Sequence, residues 1–214
     1  MRRTLGRLYL WLGGWRHLGV LPAADKCVLV AAPHTSAWDL PAMLAFAWVH
    51  GIAPRWMGKH TLFAGWKGGF MRWIGGIPID RRSPHDVVSQ MAGFFGRSDR
   101  LMLVIPVEGT RSYRDHWKSG FYHIAREAQV PIVLTVLDWG RKEGGFGPTI
   151  WPCGDVGRDM DRIRAFYAGR RGKWPELCSR VRLREEDSLP ATATAGACGA
   201  SAGRTRAAAC TCCT

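Results

Sequence analysis

The chain has 214 residues, of which 47% are hydrophobic, and 30 Lys and Arg against 17 Asp and Glu give a formal charge of +13. That length suits one catalytic domain, and nothing in the chain repeats at a solenoid period. The charge calls for a polyanion, either nucleic acid, anionic lipid headgroups or phosphorylated small molecules; without a zinc-finger, RRM or helix-turn-helix pattern, nucleic acid is set aside.

Taken in chain order, residues 1–20 come first. At about 100° per residue, Leu5, Leu8, Tyr9, Trp11, Leu12, Trp15 and Leu18 fall on one half of a helix, with Arg2, Arg3, Arg7 and His17 on the other. The pattern predicts an interfacial amphipathic helix over 1–20, lying on an anionic membrane surface. No uncharged apolar run reaches the ~20 residues needed to cross a bilayer. A secretory signal is the competing reading, with Pro22-Ala23-Ala24 as its cleavage site, and Gly13 and Gly14 in a short apolar centre count against it.

Cys27 to Ala32 then reads as a buried strand, Leu40 to His50 as a helix, Arg55 to Gly58 as a short strand and Leu62 to Ile74 as a helix. Strands follow at Ile77 to Asp80, Leu101 to Ile105 and Pro131 to Leu137, with helices near Asp86 to Phe95 and Gly120 to Gln129. The alternation predicts an α/β fold, a single domain over 21–190 with a largely parallel central sheet flanked by helices. Residues 191–214 use only Ala, Thr, Gly, Cys, Ser and Arg, which predicts a disordered low-complexity tail and is also compatible with a sequence artefact. Cys27, Cys153 and Cys178 stand singly and the remaining cysteines lie in that tail, which suits a reducing compartment.

In such a fold the loops leaving strand ends collect the chemistry. His34, Arg81 and Glu108 each follow a predicted strand, so distant segments can converge on one cleft. His34 and Asp39 lie five residues apart in Pro33-His34-Thr35-Ser36-Ala37-Trp38-Asp39. A neutral imidazole accepts a proton near physiological pH, and a carboxylate on its other nitrogen fixes the tautomer and stabilises the imidazolium. Taken alone, the same spacing is equally a capped helix start. Ser36 and Ser112 lie outside any G-x-S-x-G elbow, and no histidine forms an H-E-x-x-H pair.

The segment from Pro33 to Asp39, with Gly75-Gly76-Ile77-Pro78-Ile79-Asp80-Arg81, Glu108-Gly109-Thr110-Arg111-Ser112 and Val130-Pro131-Ile132, resembles in order and spacing the four blocks of the glycerolipid acyltransferases, the lysophosphatidic acid acyltransferase family. The resemblance covers roughly residues 26 to 140. Val107 stands between Pro106 and Glu108, where the family has Pro directly before Glu, and Leu134 and Thr135 stand where its fourth block has a second proline.

The resemblance implies His34 as general base, Asp39 as its orienting partner, and Arg81 on the phosphate of the acceptor. Gly75, in the same block as Arg81, would belong to the substrate-binding site with it, while Glu108, Gly109, Thr110 and Arg111 would hold the acceptor and backbone N–H groups near Gly109 would serve the oxyanion. Lys59 is either a second cation or a solvated lysine. The implied reaction moves a fatty acyl group from acyl-CoA or acyl carrier protein to the hydroxyl of a lysophospholipid, 1-acylglycerol-3-phosphate, in phospholipid biosynthesis, with no bound cofactor or metal. The partners are then the lysophospholipid, the thioester donor and the cytoplasmic face of the cell membrane, where the protein would sit peripherally. The alternatives are another lipid acceptor, one that carries an amino acid or a sugar, and a noncatalytic lipid-binding protein.

Overall fold

A computed structural model describes residues 1–79 and 84–188. Strand β2 (Lys26–Ala31) explains how the sheet is buried: Val28 and Val30 enter the core on one face, Cys27 and Leu29 the core on the other, and all four are buried. Side chains alternate along a strand, so a continuous apolar run requires cover on both faces. The helices provide it.

Among the described residues seven strands form one sheet, in the order β1-β7-β6-β2-β5-β3-β4. Strands β2, β3 (Arg55–Lys59), β4 (Gly76–Ile79), β5 (Leu101–Pro106) and β6 (Ile132–Asp138) run parallel. Strand β7 (Glu143–Ile150) pairs antiparallel with β6 and carries the edge strand β1 (Arg16–Leu18) parallel to itself. The expected largely parallel α/β sheet is therefore present, with a reversed pair at one edge.

On one face pack α4 (Pro84–Arg97), α5 (Gly120–Glu127) and α6 (Val156–Tyr167), whose Met91, Phe95, Phe121, Ile124 and Ile163 meet Val28, Leu103 and Ile132. Tyr122 from α5 donates to the buried carboxylate of Asp159 on α6 at 2.8 Å, as does the Cys153 N–H at 2.9 Å, so that charge enters the core with its acceptors filled. On the other face α2 (Asp39–His50) lies over the sheet and α1 (Arg2–Leu12) over α2, with Leu10 and Trp15 closing on Ala42, Ala45 and Phe46. A Cβ at Gly6 would come within 2.7 Å of the Ala45 carbonyl, so the glycine is what lets the two helix backbones approach.

Several expectations are corrected. The N-terminal helix stops at Leu12 rather than running to residue 20, because Gly14 takes a left-handed conformation at φ +67° and Arg16–Leu18 is drawn into the sheet against Glu143, Gly144 and Gly145. Trp15, expected on the lipid-facing half, is buried. The helix expected over Leu62 to Ile74 is a 3-10 turn at His60–Phe63 followed by a separate α3 (Lys67–Trp73), parted at Gly65 with φ +63°. Neither β7 nor α6 was expected: β7 reads Glu-Gly-Gly-Phe-Gly-Pro-Thr-Ile, a poor strand by propensity that forms because β6 offers it a ladder. The tail at 191–214 lies outside the described residues.

Candidate active site

The parallel strands present their C-terminal ends on one side, and β2 delivers its chain there into the loop Pro33–Trp38. Ser36 winds that loop. Its N–H donates to Asp39 Oδ2 at 3.1 Å and its Oγ accepts the Trp38 N–H at 3.2 Å, which brings the first residue of α2 back over His34. The Asp39 carboxylate, 4% exposed, thus sits in the first turn of a helix, where the partial positive charge of the N-terminus favours an anion. His34 Nδ1 lies 3.1 Å from Asp39 Oδ2. The other oxygen, Oδ1, accepts the indole N–H of Trp139 at 2.8 Å. Asp39 is therefore both the helix-start residue and the imidazole's partner, so the two readings of the spacing hold together.

With Nδ1 committed to Asp39, Nε2 is the ring atom available for proton transfer. The imidazole's own backbone is held as well, since the His34 N–H donates to Glu108 Oε2 at 3.0 Å. Glu108 Oε1 faces the Ser179 N–H at 3.4 Å. Burial pushes the Glu108 carboxyl above its ordinary value, and the two backbone hydrogen bonds oppose that rise. Beneath the loop Tyr167, buried and with its phenol raised well above the usual range by desolvation, shares its single O–H between the carbonyls of Thr135 at 2.8 Å and Val30 at 3.1 Å. The end of β2 is thereby tied to β6 and α6.

A cavity of about 370 Å³ opens beside His34 and runs between α2 and the sheet. Leu29, Val104 and Leu137 form its sheet side and Met43, Phe46 and Ala47 its helix side, while His34, Asp39 and Arg111 stand among its polar lining. The arrangement offers an apolar slot to a hydrocarbon chain with a base at its side.

Of the expected site residues, His34, Asp39 and Arg111 are brought together around this cavity. Glu108 stands directly behind them, but its described oxygens hold backbone N–H groups rather than the Arg111 guanidinium, so it braces the loop. Thr110 Oγ1 accepts the Ser112 N–H at 3.4 Å. The Gly109 N–H itself is spent on the Pro106 carbonyl at 3.0 Å inside its turn, which leaves the neighbouring N–H groups for the oxyanion role expected near it. Lys59 is exposed at the C-terminal end of β3, on the same side of the sheet but with β5 between it and β2. Gly75 is corrected: it precedes β4 at the opposite end of the sheet, where φ +92° and a Cβ position 2.0 Å from the Pro54 carbonyl demand glycine for the turn. Arg81 lies outside the described residues.

The sequence reading missed Trp139, Thr35, Tyr167 and Ser179. Thr35 Oγ1 accepts the Trp174 N–H at 3.1 Å, which with the Ser179 contact lays the segment after α6 across the back of the His34 loop. None of these has a local motif; each reaches the site by a contact more than sixty residues away in sequence. Among the described residues no three His, Cys, Asp or Glu side chains converge as a metal site requires.

Residues 18–137 match the model of a family described as Acyltransferase. Over 116 residues the chain is 32% identical to the 1-acyl-sn-glycerol-3-phosphate acyltransferase alpha of Ovis aries, a stretch that takes in 51% of this chain and 39% of that protein, so the match spans well under half of the relative's length. The crystal structure of the 1-acyl-sn-glycerophosphate (LPA) acyltransferase PlsC from Thermotoga maritima is similar in fold, with a TM-score of 0.54, 16% identity and 80% of each chain covered.

Proposed function

We propose, from the premise that this chain belongs to the Acyltransferase family, that it transfers a fatty acyl group from a thioester, acyl-CoA or acyl carrier protein, to the hydroxyl of a lysophospholipid, with 1-acylglycerol-3-phosphate as the acceptor. The observation that carries the reading is the His34–Asp39 pair at 3.1 Å beside an apolar cavity of about 370 Å³. A volume of that order suits a ligand pocket of the usual mostly apolar kind.

In this mechanism the acyl chain occupies the slot between α2 and the sheet, which places the thioester carbonyl beside His34. His34 Nε2 takes the proton from the acceptor hydroxyl as its oxygen bonds to the carbonyl carbon. The imidazolium, held by Asp39, then returns that proton to the thiolate as the carbon–sulfur bond breaks, leaving an ester and a thiol. A positioned base of this kind contributes ~10² to 10⁴ in rate. Arg111 at the cavity mouth supplies one cation for the acceptor's phosphate, and Arg81, assigned by its sequence block, supplies a second.

An amphiphilic acceptor and product favour work at a bilayer surface, and two described helices carry exposed apolar residues for that purpose. On α1, Leu5, Leu8, Trp11 and Leu12 are exposed while Gly6 and Leu10 face α2. On α3, Trp66 (beside its start), Phe70 and Trp73 are exposed, and the Arg2 guanidinium lies 4.6 Å from the Trp73 ring, which joins the two helices. No helix among the described residues is long and apolar enough to cross a membrane. The exposed apolar residues of α1 and α3 support peripheral docking, which the proposal assigns to the cytoplasmic face of the cell membrane.

Purified protein incubated with labelled acyl-CoA or acyl carrier protein and a panel of lysolipids, some without phosphate, tests the reading by mass spectrometry of the products. Transfer to phosphate-bearing acceptors that disappears in His34→Ala supports it; preference for an amino-acid- or sugar-bearing lipid reassigns the acceptor, and equal turnover by His34→Ala overturns the mechanism. Flotation with anionic vesicles tests the surface: Leu8→Ser with Leu12→Ser should release the protein, and unchanged binding would remove α1 as the anchor.

A further inference from the structure

Asp39 orients His34, but a carboxylate with two oxygens and a rotatable χ2 does not orient itself. One oxygen is shared by the Ser36 N–H and His34 Nδ1, both at 3.1 Å, and the other is held by Trp139 Nε1 at 2.8 Å. Trp139 lies just past the end of β6, two residues beyond the end of the matched family segment at residue 137. Its indole N–H is a donor only, so it can satisfy Asp39 solely while that side chain offers an acceptor.

The indole is itself clamped. Its backbone N–H donates to the Arg171 carbonyl at 2.9 Å, and the Trp15 ring meets it edge-on with centroids 4.9 Å apart. The ammonium groups of Lys142 and Lys173 lie 4.6 and 4.8 Å from the ring. Cations held over an indole are attracted by its π-face, and they draw electron density from the ring, which strengthens its N–H as a donor to an anion. Ring packing, two cations and one backbone bond, contributed by three separate segments, thus converge on a single hydrogen bond to the dyad's carboxylate.

From this geometry we infer that Trp139 is a positioning residue for the reaction, holding the Asp39 carboxylate so that its other oxygen keeps His34 in the tautomer with hydrogen on Nδ1 and a free lone pair on Nε2. The inference rests on the acyl-transfer reading above. The groups on the imidazole's surroundings are Asp39 from α2, Glu108 from the loop after β5 and Arg111 beside it; Trp139 hydrogen-bonds to the first and is not among the residues that line the cavity. Its loss should therefore change the dyad and spare substrate binding.

The test replaces Trp139 by 3-benzothienylalanine, which keeps the ring shape and its contacts and exchanges the N–H for sulfur; Trp139→Phe serves as the genetically simple companion. Misplacing a base by a fraction of an ångström is expensive, so kcat should fall about tenfold or more with the apparent KM of donor and acceptor unchanged. Independently of turnover, ¹⁵N spectra of the His34 imidazole should show a single Nδ1–H tautomer in the wild type and a mixture in the isostere. An isostere with wild-type kcat and an unchanged His34 spectrum overturns the inference, as does a rise in KM alone. The two readings fail separately: a wild type without acyl transfer sinks the proposed function, while the imidazole spectrum still decides whether Trp139 orders the dyad.

Discussion

Replacing Asp39 by asparagine is the sharpest probe of the dyad, because the carboxylate accepts from three donors and an amide has only one acceptor end. If the new oxygen faces Ser36 and His34, the NH₂ is aimed at the Trp139 N–H across the present 2.8 Å contact. If it turns over, the NH₂ opposes the Ser36 N–H and His34 Nδ1 at 3.1 Å each. One buried donor loses its partner in either case, at a cost of ~1 to 3 kcal/mol of stability, or roughly 3 to 10 °C in Tm for a domain of this size. The kinetic loss is larger. In the first orientation the imidazolium forms without its anion, and exchanging a charge-assisted bond for a neutral one removes ~1.5 to 3 kcal/mol, about tenfold to a hundredfold in rate. In the second, His34 must move its hydrogen to Nε2 and cannot act as the base, which forfeits ~10² to 10⁴. Single-turnover assays with acyl-CoA and a lysophosphatidate, alongside thermal unfolding, read both quantities. An Asp39→Asn protein that kept more than about a tenth of the wild-type rate would refute the assignment of Asp39 to His34.

The remaining expectations concern the brace, the slot and the thiols. Glu108 has its folded-state pKa raised by burial above the ordinary 4.5, so between those two values the folded protein binds more protons than the unfolded chain and stability falls as pH rises; Glu108→Gln should flatten that slope in unfolding curves taken across the mildly acidic range, and an identical slope would show that Glu108 does not titrate there. Met43→Trp should fill part of the cavity between α2 and the sheet and shift the donor preference toward shorter acyl chains, measured by competition among thioesters of different length; an unchanged profile would move the acyl chain elsewhere. Native maleimide labelling followed by peptide mapping should modify the exposed Cys153 and spare Cys27, which is fully buried and has its thiol pushed up to about 12 by desolvation; rapid labelling of Cys27 would contradict its place in the core.

Local chemistry determined much of this protein. Apolar runs at 27–31, 101–105 and 132–137 are too short for helices and too uniformly apolar for a half-exposed sheet, so they specify buried parallel strands before any contact is known. The four residues between His34 and Asp39 are enough for one turn of chain to bring carboxylate to imidazole. Long-range pairing decided the rest. Arg16–Leu18 reads as a continuation of an amphipathic helix and becomes a strand because β7 presents an open edge to it, and β7 itself, rich in glycine, exists only because β6 lies beside it. Gly75 looks like part of a site when its block is read as a unit, yet the direction of β4 puts the start of that strand at one end of the sheet and the chemistry at the other. Glu108 carries its family position without revealing its task, since its partners His34 and Ser179 are 74 and 71 residues away. Trp139 has no periodicity or spacing to mark it, for what it does depends on an oxygen brought to 2.8 Å by the packing of α2 against β6.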